Sequence, residues 1–462
     1  MNAIRFSLNG TPRAETELSP SVTVLDWLRA QRLTGTKEGC AEGDCGACTV
    51  VLDHGASREP RFQAVNSCLM LMPQLSGLDV LTVEGVALNG ELHAVQKLLI
   101  ETDGTQCGFC TPGFVMAMYA FSQDNEPRDE PHIHEALAGN LCRCTGYRAI
   151  VDACKKIPIP QAKGDGTTEI NESIGNFAHE GHEFIAPDSL SELLTLRSAH
   201  PDALIWAGGT DLGLRASKAR ERFPLVLSVA MVSELKSVEE SSGALVIGAT
   251  ATYTDALPLI DKHFVSFGKL IRRIGSRQIR NLGTFAGNLV TASPIGDTIP
   301  CLIALGAEVR LESKRGVRRM PVEQFVTGYR KTALAADEIL TEITIPFLQE
   351  GARFESYKVS KRFDQDISAV IAAFYRREGR KPEIRAVYGG MADRAKRAGN
   401  VEALLASGSA SPVAIEAAIA TDFAPLSDHR ASATYRLRVA AGLVQRVQLE
   451  PGTSESLRVE AL

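Results

Sequence analysis

Eight of the ten cysteines in this chain lie between Cys40 and Cys144. In reducing surroundings, thiols gathered this closely are metal ligands or redox groups more often than disulfides. The first set reads Gly39-Cys40-Ala41-Glu42-Gly43-Asp44-Cys45-Gly46-Ala47-Cys48, and Cys68 follows after nineteen residues. That is C-x4-C-x2-C…C, the spacing of plant-type [2Fe–2S] centres. Four thiolates must converge on two irons from a loop that curls around them. Gly39, Gly43 and Gly46 allow the tight backbone this needs, so that N–H groups can turn toward anionic sulfur. Zinc is the competing chemistry, but it favours paired C-x2-4-C units. The second set is Cys107-Gly108-Phe109-Cys110 and, thirty-one residues later, Cys142-Arg143-Cys144. Alone, C-x2-C…C-x-C suits zinc as well. Beside a plant-type set it points to a second [2Fe–2S] centre. Cys154 and Cys301 stand apart in apolar, helix-like segments and are expected to be buried structural thiols.

Two glycine-containing loops could hold a further cofactor. Leu204-Ile205-Trp206-Ala207-Gly208-Gly209-Thr210-Asp211 runs from an apolar strand into a glycine pair, a turn whose N–H groups can cradle a pyrophosphate. Gly283-Thr284-Phe285-Ala286-Gly287-Asn288, followed by Ser293-Pro294-Ile295-Gly296-Asp297, is the second. Glycine turns also end many strands, so neither loop decides the matter alone. No G-x-G-x-x-G and no G-x-x-x-x-G-K-[ST] occurs, which removes the Rossmann and P-loop readings. His179-Glu180-Gly181-His182 has the wrong spacing for a helical zinc pair and reads as solvated. His132-Ile133-His134 reads as a helix start, and the Lys218–Arg222 charge run as a solvated face. No nucleophile–base pair is visible.

The elements that would position these residues follow from periodicity. Ile4–Asn9 alternates like a strand, Thr49–Leu52 and Val80–Val83 are again strand-like, and Val22–Leu33 has helical spacing. Strands around one helix, with cysteines on the loop before a strand, suggest a ferredoxin-like sheet over residues 1–83. Helical spacing then takes over in Leu92–Ile100, Gly113–Phe121, His134–Ala138 and Arg148–Cys154, a bundle over 84–155. The second cysteine set falls at the ends of these helices, where free N–H groups favour an anionic cluster. Pro158, Pro160, Gly164, Gly166 and Gly175 mark a linker at 156–178. Beyond it, short strands alternate with helices over Leu204–Trp206, Leu225–Val229, Leu245–Gly248, Ser266–Asn281 and Ile339–Ile345. From about residue 350, strands at Ile367–Tyr375 and Ile384–Tyr388 precede helical stretches reaching Val447.

At 462 residues and 44% hydrophobic, the chain is long enough for about three domains by length alone. Fifty basic against fifty-five acidic residues leave −5, with no basic excess for a nucleic-acid partner. No run approaches the ~18 apolar residues of a membrane span. Met1-Asn2-Ala3-Ile4-Arg5-Phe6 lacks the apolar core of a signal peptide. The expectation is a soluble, cytoplasmic protein with no membrane partner.

Taken jointly, these motifs resemble the iron–sulfur/FAD part of the molybdenum hydroxylases, in particular the xanthine dehydrogenase type from bacteria. The resemblance covers essentially the whole length. Its most specific marks are Gly35-Thr36-Lys37-Glu38-Gly39-Cys40, Gly43 to Cys48, Gln106-Cys107-Gly108-Phe109-Cys110-Thr111-Pro112-Gly113, and Gly139-Asn140-Leu141-Cys142-Arg143-Cys144-Thr145-Gly146-Tyr147. The cysteine motifs serve all molybdenum hydroxylases. Fusion of both to a flavin region, with Lys358-Val359-Ser360-Lys361-Arg362-Phe363-Asp364-Gln365-Asp366-Ile367-Ser368, points to the xanthine dehydrogenase type.

The resemblance implies an α+β multidomain fold. A ferredoxin-like β-grasp domain (1–83) would precede an α-helical [2Fe–2S] bundle (84–155). A vanillyl-alcohol-oxidase (PCMH-type) FAD domain (179–349) and an α+β C-terminal domain (350–462) would follow. It further implies that Cys40, Cys45, Cys48 and Cys68 hold the cluster nearer the flavin. Cys107, Cys110, Cys142 and Cys144 would hold the one nearer molybdenum, with Gln106 reaching the pterin on a partner subunit. Leu204 to Asp211 would wrap the FAD diphosphate. Thr284, Gly287, Asn288, Asp297, Leu340 and Lys358 would make further FAD contacts. Ile274 departs from the phenylalanine that family members often place against the adenine. The implied activity is xanthine dehydrogenase: electrons from hypoxanthine or xanthine pass from a large molybdenum subunit through two clusters to FAD and then NAD+. No catalytic residue of the hydroxylation is expected here, since no molybdenum-binding domain is expected in the chain. A heterotetramer with two of each subunit is implied. Alternatives are the same part of another molybdenum hydroxylase acting on an aldehyde or N-heterocycle, an iron–sulfur carrier or sensor, and a flavin oxidase with appended clusters.

Overall fold

A computed structural model describes residues 3–55, 58, 60–160, 175–379, 382–408 and 410–449. Most of the expected 156–178 linker, from 161 to 174, lies outside the described residues, as does the end of the chain from 450. The chain forms two compact units, residues 1–233 with 275–283, and residues 234–274 with 284–462. The 179–349 stretch therefore contributes to both.

The first unit begins with a five-stranded sheet in the order Thr11–Glu15, Ile4–Leu8, Asp79–Leu81, Thr49–Asp53, Phe62–Asn66. Ile4–Leu8 and Asp79–Leu81 run parallel, and the other pairs are antiparallel. The Val24–Ala30 helix crosses it, started by the Thr23 hydroxyl, which accepts the Asp26 N–H at 3.1 Å. Val24, Trp27 and Leu28 recur at helical spacing and bury against Ile4, Phe6, Val50, Leu52 and Val65. Thr49-Val50-Val51-Leu52 reads as an unbroken apolar run because the strand is covered on both faces. Val50 and Leu52 face that core, whereas Val51 and Ala64 face a second one, built by the helices Ala94–Glu101, Thr111–Gln123, Glu130–Leu137 and Arg148–Lys155. Period two thus welds sheet and helical bundle together. A four-stranded sheet in the order Phe177–His179, His182–Ile185, Leu225–Ser228, Leu204–Trp206 completes the unit. Its core of Phe184, Trp206, Phe223 and Val226 takes in Leu71 from the ferredoxin-like part.

The second unit holds an antiparallel five-stranded sheet in the order Val238–Ser241, Ala244–Gly248, Ile339–Pro346, Glu308–Ser313, Gly316–Pro321. The helices Tyr253–His263, Val265–Arg272, Phe285–Thr291 and Thr298–Leu305 belong to the same unit. A four-stranded meander, Ala352–Val359, Val370–Arg377, Glu383–Gly389 and Lys396–Arg397, then packs under the helices Gly399–Ala406, Pro412–Asp422 and Ala433–Val447. The architecture is thus the expected α+β series of ferredoxin-like, helical, flavin-type and C-terminal parts. One stretch differs from its sequence reading. Ser266–Asn281 is no single element: the Val265–Arg272 helix stops, Gly275 takes φ +53°, and a short Arg277–Arg280 helix follows in the other unit. No helix among the described residues is long and apolar enough to cross a membrane.

Candidate functional site

Cys40, Cys45 and Cys48 sit where the loop after the Val24–Ala30 helix enters the Thr49–Asp53 strand, and Cys68 lies just beyond the Phe62–Asn66 strand that pairs with it. Cys40 and Cys45 are neighbours whose thiols interact, and so are Cys48 and Cys68. The Cys45 and Glu42 N–H groups donate to Cys40 Sγ at 3.3 and 3.4 Å, and Asn66 Nδ2 approaches Cys48 Sγ at 3.8 Å. The Cys45 thiol and these N–H groups pull Cys40 down to about 5, against the effect of burial. As the donor of its pair, Cys45 is held high, and Cys68 is held high opposite a lowered Cys48 in the same way. Cys40 and Cys48 are thereby biased toward thiolate, the form that ligates metal, and Cys45 and Cys68 toward the thiol. Of the three glycines expected to allow a tight backbone, Gly43 and Gly46 take φ +76° and +66°, while Gly39 has no positive φ and instead leaves room for Cys45 Sγ, 2.8 Å from where its Cβ would lie.

The second set is gathered by helix ends. Thr111–Gln123 starts directly after Cys110, with Pro112 in its first turn, and Arg148–Lys155 starts just beyond Cys144. Here Cys107 pairs with Cys144 and Cys110 with Cys142. The Cys142 N–H donates to Tyr147 Oη at 2.9 Å, and Cys142 Sγ lies 3.1 Å from Thr145 Oγ. Burial foremost pushes Cys110 up to about 12. Burial also opposes ionisation of Cys142, but the Thr145 hydroxyl and N–H outweigh it and lower this thiol. Cys107 and Cys144 are exposed, as is Gln106 beside them. Among the described residues no group of three or more His, Cys, Asp or Glu side chains is placed to hold a single metal ion.

Three backbones meet between the two sets. The Leu141 N–H donates to the Cys45 carbonyl at 3.0 Å, one residue before Cys142. A Cβ on Gly46 would lie 2.1 Å from the Gly139 carbonyl oxygen, and one on Gly113 would lie 2.3 Å from that of Gly46. Only glycine allows this approach. Asn140, which is 2% exposed, donates from Nδ2 to the Gly46 carbonyl at 3.0 Å and to Thr49 Oγ at 3.3 Å. Gln278 Nε2 in turn donates to Asn140 Oδ1 at 2.9 Å and to Thr49 Oγ at 3.3 Å. Neither amide was singled out as a site residue by sequence reasoning. Asn140 stood inside a quoted motif, but nothing local marked Gln278.

The first glycine loop lies in the same unit. After the Leu204–Trp206 strand, no protein acceptor among the described residues takes up the N–H groups of Gly208, Gly209 or Thr210. Three successive free N–H groups fit an anionic diphosphate. The glycines also serve packing, since a Cβ on Gly208 would meet the Leu282 carbonyl oxygen at 1.6 Å and one on Gly209 the Trp206 ring at 2.5 Å. The Trp206 side chain is fully buried against Phe223, so that residue offers a ligand its backbone only; Leu204 packs beside it, Ile205 and Ala207 are half-buried, and Asp211 is exposed. The Gly213–Ser217 helix follows at once and lies on the first cysteine set. Leu214 packs on the cluster of Cys48, Cys68 and Leu69, and Ser217 Oγ donates to the Ala41 carbonyl at 2.8 Å. As expected, the Lys218–Arg222 run is a solvated face, whose Lys218 and Arg220 pair with Glu42 and Asp26, and His132 lies in the first turn of its helix.

The remaining candidate flavin residues belong to the second unit. Thr284 caps the Phe285–Thr291 helix, its hydroxyl accepting the Gly287 N–H at 2.9 Å. Asn288 Oδ1 accepts the Thr298 hydroxyl at 2.6 Å. Asp297 is buried between two donors, Lys358 Nζ at 2.7 Å and Ser368 Oγ at 2.6 Å, and Lys358 Nζ also reaches the Arg273 carbonyl at 2.8 Å. Leu340 is buried in its strand, opposite Leu311, and Ile274 is half-buried. Sequence reasoning passed over Ser368 as a partner of Asp297, although it closes a quoted motif. Cys154 and Cys301 are fully buried, as expected.

Comparison with known families gives the same order. Residues 6–73 match the 2Fe-2S iron-sulfur cluster binding domain, 82–155 the [2Fe-2S] binding domain, 177–348 the FAD binding domain in molybdopterin dehydrogenase, and 355–450 the CO dehydrogenase flavoprotein C-terminal domain. These four domains match the iron–sulfur and flavin part of the molybdenum hydroxylases. Xanthine dehydrogenase of Emericella nidulans is 33% identical over 87% of this chain and 35% of its own length. The chain spans about a third of the length of the curated relatives it matches. Among solved structures, carbon monoxide dehydrogenase from Hydrogenophaga pseudoflava aligns with a TM-score of 0.54 at 26% identity, covering 57% of this chain and 95% of that one. Quinoline 2-oxidoreductase from Pseudomonas putida 86 aligns at 0.52 and 27% identity, covering 57% and 94%.

Proposed function

We propose that this chain is the electron-transfer part of a molybdenum hydroxylase of the xanthine dehydrogenase type. The observation that carries the reading is an unbroken line of contacts within one unit. It runs from exposed Cys107 and Cys144, through the Leu141–Cys45 hydrogen bond, to Cys48 and Cys68, and on through Leu214 and Ser217 to the Gly208–Thr210 turn. Cys107, Cys110, Cys142 and Cys144 hold a [2Fe–2S] cluster on the side of a large molybdenum subunit, which Gln106 faces. Cys40, Cys45, Cys48 and Cys68 hold a second one on the flavin side. Leu204 to Asp211 carry the FAD diphosphate, and Thr284, Gly287, Asn288, Asp297, Leu340 and Lys358 are further FAD contacts. Two such clusters relay electrons singly, and FAD gathers them in pairs for NAD+. The chain's own work is placement: its N–H groups and hydroxyls face the thiolates and set cluster potential, and its glycines bring the cysteine loops close. The partner oxidises hypoxanthine or xanthine to urate, in a cytoplasmic assembly of two of each subunit.

A second reading places the same relay in a hydroxylase acting on an N-heterocycle or aldehyde. The likeness to quinoline 2-oxidoreductase favours it. The test is turnover. With its partner, the chain should reduce NAD+ on addition of xanthine. Alone, it should oxidise NADH with an artificial acceptor and leave xanthine untouched. Turnover of quinolines or aldehydes but not purines by the assembly would select the second reading, and xanthine turnover by the isolated chain would overturn both.

A further inference from the structure

Gln278 belongs by sequence to the flavin-type region, yet it sits in the iron–sulfur unit, fully buried between the two cysteine sets. Its segment is held there by paired charges. Arg277 meets Asp124 at 3.1 Å and Glu126 at 2.7 Å, Arg280 meets Glu135 at 3.2 Å, and Asn281 Nδ2 donates to the Ala64 carbonyl at 2.8 Å. Both Nε2 protons of Gln278 are spent, one on Asn140 Oδ1 and one on Thr49 Oγ, while its Oε1 is buried without a partner. A buried amide acceptor left bare carries a desolvation penalty. Its site is equally exacting on the other side, because a Cβ on Gly139 would fall 1.9 Å from Gln278 Oε1. Thr49 follows Cys48 directly and Asn140 precedes Cys142 by two residues, so this one side chain grips both cysteine sets.

We propose that Gln278 is a positioning residue for electron transfer between the two cysteine-bound centres, fixing the gap between the Cys45–Cys48 loop and the Asn140–Cys144 loop. The inference rests on the proposed pair of [2Fe–2S] clusters and adds a residue to which that reading assigns no role. With Gln278→Met, volume is kept but both donors are lost. Asn140 Oδ1 is then left bare in the interior, and Asn140 must turn or its loop must move. The Leu141 N–H to Cys45 carbonyl hydrogen bond, a backbone link between the sets, would open with it.

The test uses the full chain with its clusters, reduced at low temperature, and reads the electron-paramagnetic-resonance splitting that two nearby spins impose on each other. That splitting falls with the cube of their separation. The native chain should show it. Gln278→Met, with iron and flavin content unchanged, should show it lost or clearly reduced, together with faster amide exchange at Leu141. A glutamine that merely stabilises the fold would lower the melting temperature and leave splitting and exchange as in the native chain, which would overturn the proposal. An absent splitting in a native chain with full iron would do the same, since the centres would then lie too far apart for this hub to govern. Should Gln278→Met fail to fold, Gln278→Asn, too short to span both acceptors, takes its place with the same two outcomes. A native chain that binds no iron would refute the cluster reading itself, a result that iron analysis separates from the others.

Discussion

Gly46 offers a direct probe of how closely the cysteine loops must approach. In Gly46→Ala the new Cβ would sit 2.1 Å from the Gly139 carbonyl oxygen and 2.6 Å from Asn140 Nδ2, on a backbone held at φ +66°. The left-handed conformation costs an L-residue about 1–2 kcal/mol. Forcing a methyl into packed backbone adds about 1–3 kcal/mol. The expected loss is therefore about 2–5 kcal/mol, a large share of the ~5–15 kcal/mol that holds a typical domain together. Gly10 is the control. It has φ +75° but nothing within 4 Å of an added Cβ, so Gly10→Ala should cost about 1–2 kcal/mol only. The chain has two tryptophans, and both Trp27 and Trp206 are buried in the first unit. Tryptophan fluorescence during urea unfolding therefore reports this unit and not the other. Equal losses for the two variants would refute the argument, because the contact between the Gly46 and Gly139 backbones would then carry no weight.

Three further outcomes follow from the same structure. Lys358→Met leaves Asp297 buried with Ser368 as its remaining donor, and breaking a buried pair this way costs about 3–5 kcal/mol; thermal unfolding of the second unit should shift down, and bound FAD should fall with it. Burial opposes ionisation of Asp428, yet the Ala431 and Arg430 N–H groups and the Arg436 guanidinium hold it down to about 2. A carboxylate depressed when folded lends stability above its unfolded value near ~3.9 and loses it as pH falls toward 2, so Asp428→Asn should flatten the decline in unfolding midpoint between roughly pH 4 and 2. In the iron-free chain the exposed Cys107 and Cys144 should react first with a thiol reagent, and the fully buried Cys154 and Cys301 last; early labelling of Cys154 would contradict the core described around the helical bundle.

The legible parts of this chain were those whose signal is local. C-x4-C-x2-C is contained in nine residues, and its glycines announce the turns that Gly43 and Gly46 adopt. Thr49–Leu52 could be read as a strand because burial on both faces leaves an unbroken apolar run. The Thr11–Glu15 strand went unread because it is an edge, exposed along almost all its length and without alternation. Ser266–Asn281 gave no sign that Gly275 breaks it, since periodicity does not say which core a turn faces. The hub between the cysteine sets was the least legible. Gln278 meets Asn140 across 138 residues and Thr49 across 229, and a glutamine that satisfies buried partners has the same letter as one in solvent.

The central claim is that the eight cysteines hold iron in two clusters beside a flavin. It is tested most directly by counting iron, zinc, molybdenum and FAD per chain on protein isolated natively through a tag on this chain. The account predicts about four irons, as two [2Fe–2S] clusters require, one FAD, and molybdenum in equal amount on a larger chain that comes with it. Zinc in place of iron, or iron without flavin, would contradict it.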